Sequence, residues 1–287
     1  MPDDLMPDST PPADSSERLP APIPNAAPSA EPLDASSGWR DDLLTATLFL
    51  TRVKLPRIMT APTASAAGLT HALRAFPLIG AAIGLAAALV YWLASLFGLS
   101  PLPAALVTVG ATVWLTGGLH EDGLADCADG FGGGHDRAAK LAIMRDSRIG
   151  SYGVLALVLG IGLRVAALAD LSVADGAAAL VAAHAASRAA MPLLMALLEP
   201  ARPDGLAASL GRPSEAVLAQ AVILGVLICA LMTGPFPGIV ALSFAALVLA
   251  GLETLARRQI GGYTGDVLGA AQQVTEIAIL LALSALW

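Results

Sequence analysis

The chain has 287 residues, 56% of them apolar and 14% charged, with a formal net charge of −7. Soluble domains run near a quarter charged, so a mean hydropathy of +0.70 excludes an ordinary solvated globule. Nucleic-acid binding is excluded too, because aromatic residues make up only 5% of the chain and no basic stripe accompanies them.

The charge is unevenly placed. Residues 1–38 hold seven acids against one base, together with nine of the twenty prolines. That composition buries too little apolar surface to offset chain entropy, so a disordered tail is expected over 1–38 and a membrane-embedded domain over 39–287. The tail lacks the basic start and apolar core of a signal peptide. Trp39–Leu50 has a short apolar run after Arg40, Asp41 and Asp42, which predicts an interfacial amphipathic helix.

Seven apolar runs then approach the roughly 20 residues that cross a bilayer. They are Phe76–Leu99, Leu102–Leu119, Gly150–Ala169, Gly176–Leu198, Ala216–Met232, Gly238–Leu255 and Val267–Trp287. Two sit near the lower length limit, so the expected fold is an all-α polytopic membrane bundle of about seven transmembrane helices, or six. The runs are rich in Ala and Gly, which lets helices approach closely in lipid. The short links Ser100–Pro101, Asp170–Asp175 and Thr233–Pro237 carry no Lys or Arg, whereas the other links carry twelve, from Arg52 to Arg258. The positive-inside rule assigns those basic links to the cytoplasm. Cys127 and Cys229 make no disulfide framework and fit a reducing face.

The chemistry concentrates in Gly117–Gly153, GGLHEDGLADCADGFGGGHDRAAKLAIMRDSRIGSYG. Asp122, Asp126 and Asp129 are spaced so that a helix puts all three on one face. Carboxylates that close take up protons unless a cation holds them ionised. Oxygen ligands without a His or Cys pattern point to a hard cation, Mg²⁺ before Ca²⁺, and Mg²⁺ borrows further ligands from substrate phosphates. Gly130, Gly132, Gly133 and Gly134 allow a tight turn whose N–H groups face an anion. His135 or Asp136 can cap a short helix from Arg137 to Asp146. Arg145 and Arg148 suit bidentate phosphate contacts. No Walker-type loop is present. A solvated helix cap explains one such Asp readily, but not three beside a Gly run and an Arg pair.

At these residues the chain resembles the cobalamin synthase family, the adenosylcobinamide-GDP ribazoletransferases. The resemblance rests on GGLHEDGLADCADGFGGG with IMRDSRIGSYG, on FLTRVKLP at Phe49–Pro56 and on FPLIG at Phe76–Gly80. It continues in Ser187–Arg188 and in RRQIGGYTGDVLGA at Arg257–Ala270, and so runs from about Leu43 to the end. It implies a multi-pass enzyme of the bacterial inner membrane, dependent on Mg²⁺, with its site on the cytoplasmic face. That enzyme joins adenosylcobinamide-GDP to α-ribazole, or its 5′-phosphate, and releases GMP. On this reading Asp122, Asp126 and Asp129 hold the metal, with Asp146 as a further ligand or an orienting partner for an arginine. Arg145, Arg148, Gly132, Gly133, Arg188, Arg258 and Asp266 contact substrate. His120 and Asp122 are candidates for the general base, alongside a hydroxide on the ion. A helix N-cap is the plain alternative for Asp266, and pairing with a neighbouring helix is the plain alternative for Arg188. Glu276 lies at lipid depth and is expected to face the bundle or a wet cavity. The bilayer is the expected surrounding partner, and a homo-oligomer is admitted.

Three rivals fit less well. A CDP-alcohol phosphotransferase needs an arginine where Cys127 follows Asp126, and a prenyltransferase needs a second aspartate-rich motif. A secondary transporter places its charges at the midplane in broken helices, whereas these carboxylates gather in one link.

Overall fold

The computed structural model describes residues 38–54 and 65–287, all helices and connecting turns. The expected disordered tail and the Leu55–Pro56 end of the first family-like motif lie outside the described residues. The helices are α1 (Trp39–Leu50), α2 (Ala66–Ala72), α3 (Phe76–Leu96), α4 (Pro101–Thr116), α5 (Leu119–Gly133) and α6 (Arg137–Ile143). They continue as α7 (Ser151–Ala169), α8 (Val173–Leu197), α9 (Leu206–Leu210), α10 (Glu215–Thr233), α11 (Pro235–Ile260) and α12 (Gly265–Ser284).

Six of the described helical segments are long and apolar enough to cross a membrane: α2 through α3 as one segment, α7, α8, α10, α11 and α12. The expected second crossing is shorter than its apolar run suggested. It is α4, which passes the same test only when joined to α5 across a 91° bend. Two glycines make that elbow, Gly117 at φ 74° and Gly118 at φ 72°, a left-handed conformation that costs other residues strain. With α4 taken as a short crossing, α5 is the segment that turns off it and lies outside the spanning set.

Helix α8 is the centre of the bundle and packs against α3, α10 and α12. Its Ala-rich sequence lets neighbours approach backbone to backbone: a Cβ on Gly84 of α3 would stand 2.6 Å from the Val181 Cα. In lipid such close packing replaces the hydrophobic drive that water supplies. Helix α1 has the expected bounds and is tied to the start of α3. Asp42 accepts from Arg74 Nε at 2.6 Å, and the Trp39 ring lies 4.3 Å from that guanidinium.

The basic links are gathered at one end of the bundle. Arg137 donates to the carbonyls of Ile260 at 2.8 Å and Ala201 at 2.6 Å. Ala201 and Tyr263 are joined by a backbone bond of 2.8 Å, and Arg52 N–H donates to the Leu115 carbonyl at 2.8 Å. The Asp170–Asp175 link, which has no Lys or Arg, is held by the Tyr91 hydroxyl of α3, which donates to the Leu168 and Leu171 carbonyls.

Candidate functional site

Helix α5 carries the aspartates, and two contacts fix its position. Gly123 lies against the start of α12, where a Cβ would stand 2.8 Å from the Asp266 carbonyl oxygen. At its far end Asp129 accepts the N–H of Gly150 at 2.7 Å and of Gly153 at 2.8 Å. Those are orphan donors of the first turn of α7, so Asp129 caps that helix from outside it.

Beside α5 opens a cavity of about 820 Å³. Its polar wall is Glu121, Asp122, Asp126, Arg145, Asp146 and Arg52, and its apolar wall includes Phe49, Leu119, Met144, Ile149 and Leu157. Asp122 is exposed to it and Asp126 half-buried. Burial, and then the charges of Asp122, Asp266 and Asp129, push the Asp126 carboxyl up to about 7. A carboxyl so crowded is one that a cation would relieve.

The three-aspartate cluster therefore divides. Asp122 and Asp126 face the cavity, while Asp129 is buried against α7 and lines a separate cavity of about 300 Å³ with Gly133, Asp146 and Arg148. Among the described residues no three His, Cys, Asp or Glu side chains are placed to hold a metal together. The donor set that remains, two carboxylates open to a cavity that arginines also line, suits an ion that takes its other ligands from phosphate and water.

Other expected residues fall in several places. Arg145 lines the main cavity and its Nη2 donates to Asp204 Oδ1 at 2.6 Å. Arg148 is turned to Asp146, with Nε 3.0 Å from Oδ1, and holds that carboxyl below its usual range. The tight anion-binding turn is not formed: α5 runs on through Gly133, so the N–H groups of Gly132 and Gly133 serve the helix. Gly132 is small because the Tyr152 ring packs on it, 2.7 Å from where a Cβ would be. Asp136 caps α6 by accepting Ala139 N–H at 2.8 Å, and that helix ends at Ile143. Arg258 is exposed on the last turn of α11 and does not line the main cavity.

Asp266 is not the cap of α12, since Thr264 takes that role. It accepts from the Thr264 hydroxyl at 3.0 Å and lies 3.8 Å from Arg202. It stands behind the cavity wall, close enough for Asp126 to feel its charge.

His120 and Arg188 are buried away from the cavity, a correction to both expected roles. His120 is 1% exposed, and neither ring nitrogen has a partner among the described residues. Arg188 donates to Glu276 Oε2 at 2.8 Å and to Ser187 Oγ at 3.1 Å. Arg164 joins the same group, 3.0 Å from Glu121 Oε1 and 3.3 Å from Glu276 Oε1. Glu276 thus faces the bundle as expected, and Arg164, for which the sequence offered no role, links it to α5.

Sequence reasoning passed over Arg52 as a site residue, counting it only among the charges that set orientation. It also missed the apolar wall, because Phe49, Ile149 and Leu157 come from three separated stretches that meet only when α1, α5 and α7 are brought together.

Comparison with known proteins gives the family. A family model described as cobalamin-5-phosphate synthase matches residues 42–284. A protein of Bradyrhizobium diazoefficiens named adenosylcobinamide-GDP ribazoletransferase is 50% identical over 250 residues, covering 85% of this chain and 93% of its own. Proteins of the same name from Mesorhizobium japonicum and Rhizobium meliloti are each 46% identical, covering 85% of this chain and 93% and 96% of theirs. No solved structure matches the chain. Spanning all the helices from α1 to α12, these matches show that the chain belongs to the cobalamin-5-phosphate synthase family of membrane enzymes.

Proposed function

We propose that this chain joins adenosylcobinamide-GDP to α-ribazole, or to its 5′-phosphate, releasing GMP in a Mg²⁺-dependent reaction. The observation that carries the reading is a cavity of about 820 Å³ whose wall brings Asp122 and Asp126 together with Arg52 and Arg145. Phosphoryl transfer asks for little more than that: positioning of the two partners and neutralisation of phosphate charge. The substrates come from the names of the relatives.

Asp122 and Asp126 are the residues that would hold Mg²⁺, which when bound supplies positive charge to the phosphate oxygens. Arg145 binds the pyrophosphate, exchanging Asp204 for a phosphate oxygen. The ribazole hydroxyl attacks the cobinamide-side phosphorus, forming one P–O bond while the P–O bond to GMP breaks. Asp122 lines the cavity and receives the hydroxyl proton on the carboxylate oxygen that the ion would leave free; His120 is buried and does not line the cavity. Phe49, Ile149 and Leu157 shelter the apolar parts of the substrates and keep water from the activated phosphate. The twelve Lys and Arg residues that the sequence places in the long links support a cytoplasmic site on the inner membrane.

The test is purified protein in detergent with both substrates, followed by mass spectrometry for the joined corrinoid and for GMP. Product is expected with Mg²⁺ and not with chelator. Asp122→Ala is expected to lose turnover while the protein stays inserted and folded. Near wild-type turnover by that variant would refute the assignment.

A further inference from the structure

The cations near the cavity are nearly all engaged. Arg145 is paired with Asp204, Arg148 with Asp146, and Lys140 with the Gln259 side chain. Arg137 is spent on two backbone carbonyls that staple the links together. Arg52 is the exception: it lines the cavity, and among the described residues its guanidinium has no hydrogen-bond or carboxylate partner.

An exposed arginine without a partner is usually a solvated surface charge, but Arg52 is held in place. Its backbone N–H donates to the Leu115 carbonyl at 2.8 Å, which docks the end of α1 on the end of α4. Its side chain then lies along Gly117, where a Cβ would stand 2.9 Å from Nε and 3.1 Å from both Cδ and Cγ. The left-handed φ of Gly117 and this close approach both call for glycine. The elbow thus doubles as a shelf that carries the stem of Arg52 to the cavity rim.

Electrostatics favours an anion there. Of the acids on the wall, Glu121 is paired with Arg164 and Asp146 with Arg148. That leaves Asp122, Asp126 and Arg52 as the uncommitted charges of the wall. A divalent cation would balance the two carboxylates, and Arg52 adds to Arg145 a guanidinium that need not first leave a carboxylate. A guanidinium with its fork free suits two oxygens of one phosphate.

We propose that Arg52 binds the pyrophosphate of the nucleotide-activated substrate, in the cavity that Asp122 and Asp126 also line. This rests on the transfer reaction proposed above and adds a binding residue to it. The full chain in detergent, with Mg²⁺, is titrated with inorganic pyrophosphate by calorimetry, and KM and kcat are measured for each substrate. Arg52→Gln is expected to weaken pyrophosphate binding, and to raise KM for the GDP-activated substrate, by about 10- to 100-fold. KM for the ribazole and the thermal midpoint are expected to be unchanged. Arg52→Lys, which keeps the charge but not the fork, is expected to fall between. Active wild-type protein whose Arg52→Gln variant binds pyrophosphate within twofold of normal overturns this inference alone. So does a variant that loses thermal stability and both substrates in parallel. Wild-type protein that binds no pyrophosphate and forms no product overturns the transfer reaction and this inference together.

Discussion

Asp129→Asn separates a helix cap from a metal ligand. In the native chain both carboxylate oxygens are used, Oδ2 by Gly150 N–H at 2.7 Å and Oδ1 by Gly153 N–H at 2.8 Å. Asparagine keeps one acceptor and turns an NH₂ group toward the other N–H, so one bond is lost and two donors face each other. A hydrogen bond to a charged group contributes about 1.5–3 kcal/mol, and a buried donor left unpaired costs about 1–3 kcal/mol. The expected destabilisation is therefore about 2–4 kcal/mol, a midpoint drop of about 4–8 °C for a chain of this size. Cys127 and Cys229 are both buried, so a thiol-reactive dye reports unfolding in detergent as they become exposed. Mg²⁺ half-saturation, measured well below the midpoint, is expected to stay within twofold of wild type. An unchanged midpoint with a tenfold shift in Mg²⁺ requirement would refute the cap and restore Asp129 to the metal.

Two further perturbations read the electrostatics. The Asp126 carboxyl, at about 7, takes up a proton more readily in the folded than in the unfolded chain, so folded stability falls as pH rises from about 4 to about 7. Its ionised form costs about 1–2 kcal/mol once solvent screening is allowed for, so Asp126→Asn is expected to raise the metal-free midpoint at pH 8 and leave it unchanged at pH 4. Because the ion needs the ionised form, Mg²⁺ affinity of the wild type is expected to weaken as pH falls below about 7; isothermal titrations at pH 6 and pH 8 with equal affinity would contradict this. Glu276→Gln leaves Arg188 and Arg164 with only Glu121 for balance, a loss of about 3–5 kcal/mol. The expected outcome is poor accumulation in membranes, partly rescued by Arg188→Met in the same chain, and no rescue would count against the pairing.

Much of this fold was legible because lipid imposes a simple rule on apolar runs. The start of α3 at Phe76, the bounds of α1 and the end of α7 at Ala169 follow the sequence closely. The elbow was harder to see, since a hydropathy run continues through Leu115 and Leu119 while the backbone turns at the two glycines between them. The aspartates show a different limit. A helical wheel correctly puts Asp122, Asp126 and Asp129 on one side, but it discards distance along the axis. Asp129 is seven residues from Asp122, about 10 Å along the helix, far enough to leave the cavity and meet α7. For Arg188 the sequence offered substrate contact or pairing with a neighbouring helix, and the structure shows the pairing, with Glu276; His120 sits beside the aspartates in sequence, but its ring turns into the bundle.

The polar group inside the bundle has a physical reason to exist beside a site at its rim. Helix α5 is rich in Gly and Ala, and its apolar contact with the core is small: Cys127, Leu124 and Phe131 pack there. Polar anchors add to that contact. At its first turn Glu121 is held by Arg164 and by the Gln273 amide at 3.2 Å, and Gln273 is in turn joined to Gln272 at 2.8 Å. At its last turns Asp129 is held by α7. Asp122 and Asp126 lie between the two anchors, with Gly123 pressed on α12. Charges at lipid depth are costly unless they face one another within the protein, and here two arginines and two glutamates do so. That cost is offset by a helix held at both ends by polar anchors and along one face by Leu124, Cys127 and Phe131, which leaves the side carrying Asp122 and Asp126 open to substrate.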